Sequence, residues 1–169
     1  KQLLDEAAKA ASYVDPATLD PKPEAVLVED VLLDDVFPLG AATRSTSRNA
    51  ISWSIATEDE VPAGLRSLRQ AFGAAFSDRV ENFAVTYPIG KQAKFSVAAR
   101  VDRHEPPTAI MLELITSKGT RRAIWGDAQQ LGSGEVGKPD RFLVGNLPPR
   151  GQWTRLEVTG EQLGLTGGE

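Results

Sequence analysis

Hydrophobic and polar residues alternate along much of the chain with the two-residue period of a β-strand. The clearest alternation spans residues 95–101. Further strands are predicted over residues 25–33, 51–55, 67–72, 83–87, 109–116, 121–125 and 142–144. The segment 109–116 is apolar on both faces, which predicts a central strand, and it is expected to form a hairpin with 121–125. About nine short strands without alternating helices predict an all-β, antiparallel β-sandwich.

The last predicted strand organises the rest of the chain, because a proline- and glycine-rich turn leads into it and its two faces differ in chemistry. Leu156 and Val158 point to one face, whereas Trp153, Arg155 and Glu157 point to the other. Such a strand is typical of an antiparallel sheet that packs one side on a core and turns the other toward water or a ligand. We therefore expect the aliphatic pair to be buried and the aromatic and charged face to be exposed.

The N-terminal region has a different pattern from the rest of the chain. Apolar residues recur at helical spacing over residues 2–14, and three prolines interrupt any periodicity between 15 and 23. We interpret residues 1–24 as a short helix and linker, and residues 25–169 as the sandwich domain. At the other end, Thr159 and Gln162 have the spacing of a capping box and predict one helical turn after the last strand.

Composition excludes several classes of function. The net charge is −4, with acidic and basic residues interspersed, so we expect no nucleic-acid partner. The chain has no cysteine, which excludes disulfides, thiol catalysis and cysteine-based zinc sites. No apolar run is long enough to predict a membrane span or a signal peptide. Because the sequence begins at Lys1, we expect it to be a piece of a larger polypeptide or complex.

Few residues suit catalysis or metal binding. His104 is the only histidine and lies in a charged connection between strands, where an exposed loop residue is the simpler interpretation. Asp34 and Asp35 follow a predicted strand and offer carboxylates to Ca²⁺, or alternatively to the amides of a turn. Glu113 and Glu157 are candidates for a glycosidase pair, although the sequence gives no distance between them. We expect no catalytic residues and no cofactor other than this candidate calcium ion.

The three tryptophans are the more useful candidates for ligand binding. Trp53, Trp125 and Trp153 each lie in a predicted strand. Flat indole rings stack on the apolar faces of sugars, and Trp153 shares its face with Arg155 and Glu157, which suit hydroxyl groups. The alternative is that each indole packs in the core and that Arg155 and Glu157 form an ion pair.

Four short motifs follow one another along the chain. They are Leu33–Ala41, Pro106–Leu112, Arg122–Gly126 and Gly145–Leu165. Together they resemble the concanavalin-like or carbohydrate-binding-like (LamG-like) module of large exported planctomycete proteins, which often also carry cytochrome c-type and uncharacterised planctomycete domains. The resemblance covers roughly residues 25–168, and its motifs are more specific as a series than singly.

The resemblance implies a jelly-roll sandwich that binds a glycan or another protein and lies outside the cytoplasm, in the periplasm or at the cell surface. It adds Arg122 as a candidate ligand contact, so the predicted binding set is Trp125, Arg122, Trp153 and Arg155. It also implies one further strand after Leu165. We therefore expect a strand from a second chain, or from a continuation of this polypeptide, to complete the sheet.

Three function hypotheses follow. The first is a non-catalytic, lectin-like module that binds a glycan. The second is a structural or assembly domain that packs against neighbouring domains or subunits, for which exposed apolar area would be the sign. The third is a glycoside hydrolase on the same sandwich, which requires two acidic side chains facing each other across one groove.

Overall fold

The structure is a computed structural model of the chain, and its secondary structure consists almost entirely of β-strands. It describes residues 29–46, 52–55, 62–69, 76–131 and 136–167. The strands are β1 Ala42–Ser45, β2 Ser52–Ile55, β3 Arg66–Arg69, β4 Asp78–Glu81, β5 Lys94–Arg100, β6 Ala109–Thr116, β7 Gly119–Gly126, β8 Phe142–Gly145 and β9 Trp153–Thr159. One short 3₁₀ helix, Ala128–Gln130, follows β7. The predicted all-β sandwich is confirmed.

The chain divides into two units, residues 1–32 and residues 33–169. All of the described strands lie in the second unit. The helix predicted over 2–14 and most of the linker after it lie outside the described residues. The proposed domain boundary at residue 25 falls there as well, and it stays a prediction.

A three-stranded sheet, in the order β6-β7-β8, forms one layer of the sandwich. β6 and β7 are the predicted hairpin, and they pair antiparallel with Leu112 opposite Ala123. β8 pairs with β7 in parallel, with Phe142 opposite Ala123, so the sheet is mixed. The central strand is therefore β7, and the prediction of a central β6 is wrong for the described sheet. The second face of β6 is not fully buried either, because Glu113 on that face binds Arg122 and Arg79.

β5 and β9 form the second layer, paired antiparallel along their whole length. Leu156 and Val158 of β9 project into a core shared with Ala123 and Trp125 of β7. Side chains of both layers pack around that cluster, namely Phe95, Ala99, Ile110, Leu112, Leu114, Phe142 and Val144. The alternation of the sequence thus places one face of each sheet against the other, which is the arrangement that defines a sandwich.

The chain turns back onto the core directly after β9. The Thr159 hydroxyl accepts from the Gln162 amide at 3.2 Å, and the Gln162 side-chain oxygen accepts from the Thr159 amide at 2.9 Å. These are the reciprocal contacts of the predicted capping box. The segment that follows is a hydrogen-bonded turn rather than a regular helix, and it buries Leu163 and Leu165 under the sandwich.

Two short ribbons, β1 with β4 and β2 with β3, complete the described strands. β2 lies within a predicted strand and β3 overlaps one, whereas β1 and β4 were not predicted because their sequences, ATRS and DRVE, show no apolar alternation. Instead of apolar pairs, an ion pair crosses the β1–β4 ribbon, with Arg44 Nε 2.6 Å from Glu81 Oε1. The prediction of a strand at 83–87 is wrong, because these residues form no strand. The prediction at 25–33 is wrong for its described part, residues 29–33, for the same reason.

Candidate functional site

The outer face of β9 carries the side chains that the alternation assigned to it. Leu156 is 3% exposed and Val158 is 1% exposed, whereas Arg155 and Glu157 are exposed. Arg155 Nε lies 2.8 Å from Glu157 Oε1 in a same-face ion pair, with 55% and 49% of the two side chains accessible. Trp153 is half-buried beside them. The predicted division of faces is confirmed, and the ion pair already engages the polar groups that a sugar would need.

Trp125 and Arg122 lie on opposite faces of β7. Trp125 is only 5% exposed and belongs to the core cluster. Arg122 Nε is 2.8 Å from Glu113 Oε2 on the other face, where Glu113 Oε1 also binds Arg79 at 3.0 Å. The predicted set of Trp125, Arg122, Trp153 and Arg155 is therefore not brought together, because only Trp153 and Arg155 share a surface.

Asp35 ties the segment before β1 to the β2–β3 ribbon. Its carboxylate accepts from the backbone N–H of Leu65 at 2.8 Å and of Arg66 at 2.7 Å. The alternative interpretation of Asp34 and Asp35, carboxylates that bind turn amides, thus holds for Asp35. In the part of the chain that the structure describes, no group of three or more acidic or histidine side chains suits a metal ion. A calcium ion at Asp34 and Asp35 stays a prediction, and the described residues supply no third acidic or histidine ligand for it.

His104 is exposed in a tight turn that begins at Asp102. Asp102 Oδ1 accepts from the backbone N–H of His104 at 2.7 Å and of Glu105 at 3.1 Å. The amides of Glu105 and His104 lower the pKa of Asp102 from its ordinary value. Because the pKa is depressed, the stabilisation of the turn by the ionised Asp102 carboxylate is complete at pH values above the ordinary pKa of an aspartate. It is lost as the pH falls through the lower pKa of the folded state.

Glu113 and Glu157, the candidate acids for hydrolysis, lie on the outer faces of different sheets, and each is engaged by arginine. They do not face each other across one groove. The geometry that the third hypothesis requires is therefore not formed by this pair.

A groove of about 450 Å³ opens between two proline-containing loops at the end of β7. One wall is Pro106–Thr108 and the other is Leu147–Arg150, with Val101 between them. Sequence analysis did not single out this groove as a site, although each wall carries a Pro-Pro pair. Those two pairs mark the two loops in the sequence, because proline pairs stiffen the loops on which they lie, but they do not indicate that the loops meet.

Backbone contacts hold the two walls of the groove in place. The Asp127 N–H donates to the Thr108 carbonyl at 2.9 Å, and the Gly151 N–H donates to the Val101 carbonyl at 2.7 Å. Gly126 lies where the walls meet. A β-carbon there would lie 2.5 Å from Thr108 O and 2.9 Å from Leu147 Cγ, so only glycine permits this approach.

No helix in the described ranges is long and apolar enough to cross a membrane. The resemblance to concanavalin-like modules, the extracytoplasmic location and the glycan partner stay predictions. Comparison of the chain with protein-family models, with curated proteins and with solved structures gives no significant match.

Proposed function

We propose that this chain is a non-catalytic binding module whose partner is the surface of another protein domain or subunit. The observation that carries the proposal is the β2–β3 ribbon, which presents large aliphatic side chains to solvent. Ile55 in β2 is 82% exposed and Leu65 beside β3 is 64% exposed. Exposed large apolar side chains that are grouped on one element mark protein-binding sites in soluble domains more often than ones scattered singly.

Among the described residues, contacts from Phe37 and Asp35 hold the ribbon to the segment before β1. In the described part of the chain it is a sheet of only two strands, with Trp53 opposite Leu68. Trp53 packs against Phe37 with ring centroids 5.2 Å apart, and Asp35 binds the amides at the start of β3. A two-stranded ribbon is marginally stable by itself. A partner that covered Ile55 and Leu65 would add apolar burial where the domain supplies little.

The tryptophans support a protein partner over a glycan. Trp125 is in the core and Trp53, which is half-buried, packs one side of its ring on Phe37, so neither presents a fully exposed ring as a sugar platform. Trp153 is half-buried beside the Arg155–Glu157 ion pair. Glycan binding remains the alternative, and it makes a different experimental prediction.

The test places a photo-crosslinking residue at Ile55 in the full-length protein and identifies the crosslinked neighbour by mass spectrometry. Binding of that purified neighbour is then measured for the unmodified chain and for Ile55→Lys. Burying one aliphatic side chain contributes about 1.5 to 3 kcal/mol, so Ile55→Lys is expected to weaken binding by about tenfold or more.

Leu143→Lys is the matched control, because Leu143 is a partly exposed aliphatic residue on β8, outside the ribbon. It should leave the affinity unchanged. Equal weakening by the two substitutions would contradict the proposal. Specific binding to a polysaccharide that survives Ile55→Lys would also contradict it and would favour the glycan alternative.

A further inference from the structure

We propose that the groove between the loops 106–108 and 147–150 is a separate binding site for an extended peptide segment that carries a large apolar side chain next to a carboxylate. No ribbon residue lines this groove, so the inference does not rest on the proposed function. The site is defined by its apolar floor, by the cations at its mouth and by its rigid walls.

The floor of the groove suits an apolar side chain. Val101 is 3% exposed and Pro148 is buried, and Leu147 and the other prolines line the space above them. Proline has no backbone N–H, so this lining offers few hydrogen-bond donors to a polar ligand such as a sugar. The volume of about 450 Å³ lies within the range of about 300 to 1,000 Å³ that is usual for binding pockets.

The arginines at the groove suit a negatively charged ligand. Arg150, an exposed residue, lines the groove, and the side chain of Arg103 lies across the neighbouring Gly151. Neither arginine forms an ion pair with another residue that the structure describes. Guanidinium groups bind carboxylates through two parallel hydrogen bonds, and an unpaired arginine beside an apolar floor therefore complements an apolar acid.

Two acidic side chains close to the groove, Asp102 and Asp127, are already engaged, and Glu105 forms no ion pair with either arginine among the described residues. Asp102 accepts from the amides of His104 and Glu105. Asp127 accepts from the Gln129 amide at 3.0 Å and from Gln130 Nε2 at 3.3 Å, where it caps the 3₁₀ helix. The charge of Arg150 is thus left for a ligand rather than for the loops themselves.

An extended segment is the occupant that fits this shape. The groove is partly open to solvent, so a chain can enter and leave it while one side chain fills the floor. Because Gly126, Thr108 and Leu147 hold the walls in contact, the groove is formed before a ligand arrives. Preformed walls reduce the ordering cost of binding a short peptide.

The test is a titration of the isotope-labelled chain with two blocked tetrapeptides, acetyl-Gly-Phe-Glu-Gly-amide and its Gln counterpart, followed by NMR. The Glu peptide is expected to shift the amide signals of Val101, Thr108 and Leu147 with a dissociation constant of about 1 mM or below, and the Gln peptide is expected to bind more weakly. Because one exposed ion pair contributes up to about 1 kcal/mol, the difference should be about threefold to fivefold.

Arg150→Gln should weaken binding of the Glu peptide by the same factor and leave binding of the Gln peptide unaffected. Arg155→Gln is the control substitution, because Arg155 lies on the outer face of β9, and it should change neither affinity. The proposal is overturned if the two peptides bind equally, if the shifts fall outside the groove, or if neither peptide binds at about 10 mM. Tighter binding of the free acid N-acetylphenylalanine than of the Glu peptide would indicate a small-molecule ligand. That result would also overturn the proposal of a peptide site.

Discussion

Leu156 and Glu157 are neighbours in β9, yet the sandwich gives them opposite environments. Leu156 packs in the core, whereas Glu157 is half-exposed in its ion pair with Arg155. Leu156→Ala is expected to lower the free energy of unfolding by about 2 to 5 kcal/mol, because it removes buried methyl groups and leaves a cavity. Glu157→Ala should cost less than about 1 kcal/mol, because the pair is screened by solvent.

Urea denaturation of the two variants checks this prediction, and equal losses would contradict it.

The same strand shows how far sequence reasoning reaches at the scale of a residue. Alternation identified which residues share a face of β9, and the confirmed core face follows from it. Alternation does not identify which face of a strand meets the opposite sheet, and that is why Trp125 was assigned to a ligand surface although it lies in the core.

At the scale of an element, β7 ends where the two walls of the groove meet. Gly126 and Gly137 have the same positive φ of 96°, but a β-carbon at Gly126 meets Thr108 and Leu147, whereas one at Gly137 meets nothing within 4 Å. Both alanine variants should incur the backbone strain, of about 1 to 3 kcal/mol. Gly126→Ala should incur a further overpacking cost of about 1 to 3 kcal/mol.

Thermal or urea unfolding of the two alanine variants measures the difference, and Gly137→Ala serves as the control for strain alone. Similar stabilities for the two variants would show that the walls separate without cost. The groove would then not be the rigid site described above.

Strands with a strong apolar period were predictable, and strands without one were not. β5, β6, β7 and β9 all appear where alternation or an apolar run placed them, since burial of one face determines their register. β1 and β4 have no such period, and their backbone pairing, such as that of Ala42 with Glu81, joins residues far apart in the sequence. The groove depends on two loops meeting in space, which a periodic pattern does not report.

At the scale of the whole molecule, the domain combines a well-packed sandwich with a lightly attached ribbon. The core lies between the β6-β7-β8 sheet and the β5–β9 pair, and it excludes the β2–β3 ribbon. Within the described residues β5 pairs only with β9 and β6 only with β7, so completion of the sandwich by a further strand stays a prediction. The central claim is that the ribbon is a partner-binding element rather than part of the stable core.

Amide hydrogen exchange on the chain alone tests that claim most directly. The hydrogen-bonded amides of β7 and β9 should exchange only through opening events that approach global unfolding, about 5 to 15 kcal/mol, because both strands line the core. Amides of 52–55 and 66–69 should exchange through openings of no more than about 2 kcal/mol. Protection of the ribbon equal to that of β9, in the absence of any partner, would contradict the account.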